Sequence, residues 1–183
     1  MKTRILLILF IVFSLSPEAF PGPDDSLKLR NLPIVIITTS IHNPEAPVAL
    51  LITGDGGWYH FEQSIANSLA KRGIPTVGLD SRKYFWNRRT PGETATDVAL
   101  ALSYYAKEWH RNKFVLIGYS LGAEIVPFIF NRLPEEMKRK IQSTVLLSPD
   151  VTTDFEIHFS NMMGIGNKQN TYGTIEEIIK MQE

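Results

Sequence analysis

Residues 114–124 read FVLIGYSLGAE, and Gly118-Tyr119-Ser120-Leu121-Gly122 within them has the spacing G-x-S-x-G. An apolar run ends at the first glycine, and a helical pattern begins after the serine. In that setting a serine can stand on a sharp strand-to-helix elbow, its Oγ clear of the backbone, and act as a nucleophile. Acyl transfer by such a serine needs hydrogen-bond donors for the oxyanion and a histidine–acid pair for the proton. The residue after the nucleophile supplies one donor, the N–H of Leu121. The second is expected from Thr53-Gly54-Asp55-Gly56-Gly57-Trp58, where small residues let a backbone N–H approach a substrate carbonyl. Asp55 N–H is the first candidate there and Gly56 N–H the second.

The proton acceptor is harder to place. His42 lies on an early turn, His60 just after a second apolar run, and His110 at the end of a helical stretch. His158 follows the last strand-like segment, with Asp150 and Asp154 close to it in sequence. Asp154 and His158 are therefore the alternative acid and base. In chains of this type the order is serine, then acid, then histidine, each after a later strand. Here one strand follows the elbow, then SPDVTTDFEIHFSNMMG, then TIEEIIKMQE. The expectation is a domain lacking its last two strands, truncated at the carboxyl end. Whether it works as an enzyme is left open, because neither triad partner is identifiable. No cofactor and no metal are expected.

A second chemical feature is SRKYFWNRRT, residues 81–90, where Arg82, Lys83, Arg88 and Arg89 surround Tyr84, Phe85 and Trp86. Basic residues among aromatics grip a phosphate-bearing lipid headgroup at a membrane surface. They also suit single-stranded nucleic acid, or a plain aromatic cluster under a solvated rim.

The elements that must carry these groups follow from periodicity. PIVIITTS (33–40) is β-branched and strand-like, and PVALLIT (47–53) is continuously apolar, the mark of a strand buried on both faces. Phe61, Ile65 and Leu69 recur at helical spacing before Gly73, and IPTVGL (74–79) is a third strand ending at Asp80-Ser81. Thr90-Pro91-Gly92-Glu93 is a capping box with proline at the first helical position; its helix shows Val98, Leu102, Tyr105 and Trp109 on one face. Residues 113–118 form a strand, 121–132 a helix and 143–147 a fifth strand. Thr174…Glu177 is expected to open a last helix carrying Ile175, Ile178 and Ile179, with Glu176…Lys180 as an i,i+4 pair. Alternating strands and helices with buried-type strands predict a parallel α/β sheet with helices on both faces. Ligands then bind at the carboxyl ends of the strands, in the loops beginning at Gly54, Asp80, Tyr119 and Ser148.

Composition sets the outer limits. The chain has 183 residues, 44% hydrophobic and 21% charged, enough for one globular domain. Nineteen basic residues balance nineteen acidic ones, so no global field points to nucleic acid. With no cysteine there is neither a disulfide nor an N-terminal cysteine for a lipid anchor. Lys2 and Arg4 followed by the apolar run Ile5–Phe13 resemble an export signal, since a spanning helix needs about 20 residues. Residues 1–22 are read as a signal peptide and 23–183 as a single domain, exported to a bacterial periplasm.

Four stretches together, GDGGW (54–58), GLDSRKYFWNRRTP (78–91), LIGYSLGAEIVPF (116–128) and DFEIH (154–158), resemble the bacterial virulence family VirJ and the carboxy-terminal domain of the related AcvB proteins. The resemblance covers about residues 32–180. It implies an α/β-hydrolase fold and a periplasmic protein with Ser120 as nucleophile. It also implies an aminoacylated phospholipid, lysyl-phosphatidylglycerol, or another ester as substrate, or a part in type IV secretion beside its components. For such a substrate Arg82, Lys83, Arg88 and Arg89 are the expected phosphate contacts at a membrane surface. Asp55 or Glu156 would hold the lysine ammonium.

Overall fold

The computed structural model describes residues 23–157 and 172–182. The segment read as an export signal and His158 lie outside the described residues. Helix α1 (Pro23–Asn31) leads into strand β1 (Ile34–Ile37), then β2 (Val48–Ile52), α2 (His60–Ala70), β3 (Thr76–Leu79) and the one-turn helix α3 (Ser81–Tyr84). There follow α4 (Pro91–Glu108), β4 (Phe114–Tyr119), α5 (Leu121–Arg132), a short α6 (Glu135–Lys138) and β5 (Ile141–Leu147). A two-residue strand β6 (Thr152–Thr153) pairs antiparallel with β7 (Tyr172–Gly173), and α7 (Thr174–Lys180) comes last.

The main sheet has the order β1-β3-β2-β4-β5. β3, β2, β4 and β5 run parallel, as continuous apolar runs lead one to expect, whereas β1 pairs antiparallel with β3. Every residue of β2 is buried, because β2 has neighbours on both edges and helices over both faces. Its side chains divide by the pleat. Val48, Leu50 and Ile52 join the main core beneath α4 and α5; Ala49 and Leu51 meet α2 through Ala66, Ile65 and Leu69. The result is a mostly parallel α/β sandwich with helices on both faces.

Local chemistry accounts for the helix starts. Thr90 and Glu93 make the reciprocal capping box, with Glu93 N–H to Thr90 Oγ1 at 3.2 Å and Thr90 N–H to Glu93 Oε2 at 2.8 Å. At the start of α2 half of such a box forms, Glu62 Oε2 accepting from Tyr59 N–H at 3.1 Å. α3 forms within the segment expected to be a loop, because Asp80 accepts from Lys83 N–H and so caps it. Tyr84 and Phe85 then turn into the core rather than toward solvent.

The last helix departs from expectation. Its cap is Gly173, not Thr174, which is buried, and the expected Thr174…Glu177 box does not form. Glu177 instead points inward, accepting from Asn131 Nδ2 at 2.8 Å and pairing with Arg132 at 3.0 Å in the last turn of α5. Lys180 pairs with this same carboxylate at 2.9 Å, three residues away, and not with Glu176. Inward Glu177 leaves Ile175 and Ile179 exposed.

Candidate active site

Ser120 sits between the last residue of β4 and the first of α5, with φ 50° and ψ −119°. A non-glycine residue in that region is strained by about 1–3 kcal/mol and persists only where its surroundings enforce it. The enforcing contacts are visible. Ser120 N–H donates to Leu147 O of β5 at 2.9 Å, and Ser120 O accepts from Ala123 and Glu124 N–H at 2.8 and 3.2 Å. The flanking glycines close the elbow. A Cβ on Gly118 would lie 2.6 Å from Ala123 Cα, and one on Gly122 would lie 2.8 Å from Thr53 O and against the Ile52 carbonyl. Helix α5 therefore rests directly on the backbone ends of β2 and β4, a fit that any side chain at either glycine would prevent.

This packing brings the two expected oxyanion segments together. Leu121 is the first residue of α5, where N–H groups have no partner within the helix. From the end of β2 comes the Gly54–Gly57 turn, closed by Gly57 N–H to Gly54 O at 3.1 Å. Gly54 is the residue of this turn that touches the nucleophile: a Cβ built on it would be 3.3 Å from Ser120 Cβ and 3.6 Å from the Tyr119 ring. Asp55, the first candidate, is exposed at the tip of the turn, and Gly56 is half-buried. Tyr119 is held from the other side by Phe61, ring centroids 4.7 Å apart.

Two residues that sequence reasoning did not single out fix the turn. Thr53 and Ser81, at the ends of β2 and β3, exchange buried hydrogen bonds: Ser81 N–H to Thr53 Oγ1 at 2.9 Å and Ser81 Oγ–H to Thr53 O at 2.7 Å. Their adjacency needs parallel β2–β3 register, which pairs Ile52 with Leu79 and is not written in either segment alone. A third is Glu124, nearly buried in the first turn of α5, whose Oε1 accepts from Asp150 N–H at 3.4 Å and ties the exit of β5 to the elbow helix. At that exit Ser148 has φ 55°.

Beside the elbow the exit loops of β2 and β3 enclose a cleft of about 510 Å³, lined by Gly56, Trp58, Tyr59, Asp80, Arg82, Lys83, Trp86 and Asn87. Trp58 forms a fixed wall. Its ring packs against Gly78 of β3, where a Cβ would lie 2.7 Å from Trp58 Cη2 and closer still to Cζ3, and its Nε1–H donates to Gln63 at 2.9 Å. Asp80 is buried at the base and pairs with Lys83 Nζ at 3.2 Å, while Arg82 reaches Tyr59 Oη at 3.3 Å.

Of the four expected phosphate contacts, Arg82 and Lys83 line this cleft and Arg88 and Arg89 do not. Arg88 is exposed; the Arg89 guanidinium is half-buried, 4.9 Å over the Tyr84 ring. Tyr84 donates to Asp97 at 2.7 Å, and burial, with the Asp97 carboxylate next, pushes its phenol well above the usual range. Residues 154–157 pack on the 85–89 turn through Arg89 N–H to Phe155 O at 2.9 Å and Ile157 N–H to Phe85 O at 2.8 Å. Phe155 is wholly buried there against Phe85, Phe128 and Tyr172. Asp154 is nearly buried and Glu156 half-buried in this segment. Among the described histidines, His60 begins α2 and His110 lies past the end of α4, at the opposite end of the sheet; none is hydrogen-bonded to Ser120.

Comparison with solved structures identifies the architecture as the α/β-hydrolase fold. Est1E from Butyrivibrio proteoclasticus is similar at 17% identity and a TM-score of 0.50, over 63% of this chain and 46% of Est1E. LpqC, a poly(3-hydroxybutyrate) depolymerase from Bordetella parapertussis, is similar at 15% identity and a TM-score of 0.52, over 81% of this chain and 55% of LpqC. MenH from S. aureus is similar at 11% identity and a TM-score of 0.50, over 72% of this chain and 46% of MenH. The chain thus spans about half the length of these neighbours. No curated protein sequence matches it. Residues 46–183 match the family described as "Bacterial virulence protein (VirJ)". With its elbow and the turn beside it falling within that match, the chain belongs to the VirJ family.

Proposed function

We propose that the protein is a serine ester hydrolase of the bacterial periplasm. The observation that carries this reading is Ser120 at φ 50°, wedged between two glycines that have no room for a side chain. In the proposed reaction Ser120 Oγ attacks the ester carbonyl carbon, and its proton passes to a base. The oxyanion forms beside Leu121 N–H and the Gly54–Gly57 turn. Collapse breaks the C–O bond, the alcohol leaves with the proton, and water then cleaves the acyl-serine to release the acid. His158 with Asp154 is the pair in this chain that the sequence offers as base and acid.

For the substrate we favour an aminoacylated phospholipid such as lysyl-phosphatidylglycerol. The cleft beside the elbow supports that choice, with Arg82 and Lys83 at its rim suited to a phosphate. Asp55 or Glu156 is proposed for the lysine ammonium. On a second reading the fold serves as a binding or secretion-accessory module without chemistry.

A fluorophosphonate probe separates the two, since it labels a serine only where a base activates it. Labelling that disappears in Ser120→Ala, with lysine released from lysyl-phosphatidylglycerol, is the expected result. A folded chain that takes no label leaves the accessory module; label without lysine release leaves an ordinary carboxylesterase.

A further inference from the structure

The carboxyl end of the sheet carries a group of large side chains that the elbow chemistry does not use. Tyr59 is 59% exposed, Phe61 50% and Trp86 59%. Apolar rings of that size usually turn inward, as Tyr84 and Phe85 do two residues and one residue before Trp86. All three follow the ends of β2 or β3. Tyr59 and Trp86 line the cleft, and Phe61 rests on Tyr119, the neighbour of Ser120. The cations around them are Arg82, Lys83 and Arg88, each exposed. The acids facing the same region are largely committed. Asp80 is buried and paired with Lys83, and Glu62 is buried and accepts from Tyr59 N–H; Asp55 is the exposed acid of the β2 and β3 exit loops, while Asp150 is exposed at the exit of β5 and Glu156 is half-buried.

From this we infer that the rim of exposed Tyr59, Phe61 and Trp86, set among Arg82, Lys83 and Arg88, is a docking face for an anionic lipid bilayer. Tyrosine and tryptophan place an apolar ring in the acyl boundary and a polar edge at the headgroups, and Lys and Arg carry their charge at the same level. Charge complementarity selects the membrane: in a molecule of zero net charge, the exit loops of β2 and β3 (53–59 and 80–90) show three exposed cations against one exposed carboxylate. A nucleic-acid strand needs a basic groove that tracks its backbone, whereas this cleft of about 510 Å³ holds one headgroup. The contact we infer is made by side chains at the bilayer surface; no helix among the described residues is long and apolar enough to cross a membrane. It would set the mouth of the elbow against the lipid surface. The inference does not depend on Ser120 being reactive.

The experiment uses the full chain carrying Ser120→Ala, mixed with vesicles of phosphatidylcholine with or without phosphatidylglycerol, and reads flotation and tryptophan emission. Binding to the anionic vesicles, with a blue shift that brominated lipid quenches, is expected. Trp86→Ala should weaken binding about tenfold or more, given the ring area it would bury. Arg82→Gln with Arg88→Gln should weaken it about 30-fold, near fivefold for each cation. Neither change should matter on neutral vesicles beyond the loss of the ring. These positions are exposed, so each variant is first matched to the parent by thermal melting. Absence of vesicle binding would overturn the inference. So would vesicle affinities that ignore all three substitutions, a single-stranded oligonucleotide bound as tightly as the anionic vesicle, or a self-association that buries Trp86 in their place. Should probe labelling fail while anionic vesicles still bind, the hydrolase reading falls and the docking face stands.

Discussion

Placing an alanine at Gly122 tests the elbow's packing directly. The new Cβ would lie 2.6 Å from the Ile52 carbonyl carbon and 2.8 Å from Thr53 O, both backbone atoms that cannot rotate away. Ordinary contact begins near 3.4 Å, so α5 and β2 would have to part by about 0.8 Å or more. Overpacking of this kind costs about 2–3 kcal/mol, the upper half of the usual range, because no flexible side chain can absorb it. Exchanging glycine for alanine in a helix returns about 0.5–1 kcal/mol. Gly92 supplies the matched control: it is also the second residue of a helix, α4, and a Cβ there meets nothing within 4 Å. Gly92→Ala should gain stability and Gly122→Ala should lose it, the two differing by about 2–3 kcal/mol in urea unfolding. Parting α5 from β2 also moves Leu121 N–H away from the Gly54 turn, so probe labelling of Ser120 should slow. Equal stabilities of the two variants, within about 0.5 kcal/mol, would refute the claim that the helix rests on bare backbone.

Three further outcomes are expected. Ser120→Gly should be more stable than Ser120→Ala by about 1 kcal/mol in the same urea assay, because only glycine relieves φ 50°. For Glu177, burial raises the carboxyl pKa, but hydrogen bonds from Asn131, Arg132 and Lys180 outweigh it and bring the group down to about 2. A depressed carboxylate contributes stability fully above its unfolded value of 4.5 and loses it as pH falls toward 2. Melting temperature measured from pH 6 downward should therefore decline through this window less steeply in Glu177→Gln than in the parent. At neutral pH that variant should lose about 2 kcal/mol, discounted because Arg132 and Lys180 are solvated; parallel pH profiles would exclude the role. Finally, Thr53→Val leaves Ser81 N–H buried without its partner and should cost about 1–3 kcal/mol, read by thermal unfolding, while exposed Thr96→Val should cost well under that.

Local signals were legible where one segment contains its own explanation. The α4 box needs only Thr90, Pro91 and Glu93, and α5 spans 121–132 as its pattern requires. The elbow needs a strand, a serine and two glycines, all contiguous. What sequence could not show depends on partners distant along the chain. Thr174…Glu177 has the spacing of a capping box, yet a tertiary contact with Asn131 and Arg132 on α5 outcompetes the local cap. β6 is two residues long and exists because β7 lies beside it. Gly54, rather than Asp55, meets Ser120 because the turn's tip faces outward, a matter of loop geometry that composition does not encode.

The paired bonds between Thr53 and Ser81 have a thermodynamic consequence. They join the loop that flanks the nucleophile to the helix that carries Arg82 and Lys83, and Gly57 lies close against Asp80 between them. Two binding events on one body are linked, and linkage is reciprocal. If a phosphate in the cleft alters the affinity of a reversible ligand for Ser120, then that ligand must alter the phosphate's affinity by the same factor. Titrating glycerol phosphate against the protein with and without a saturating boronate, a reversible ligand of a nucleophilic serine, measures that factor. We expect it to differ from one in the parent and to approach one in Thr53→Val; an unchanged factor in the variant would show that the latch does not carry the coupling.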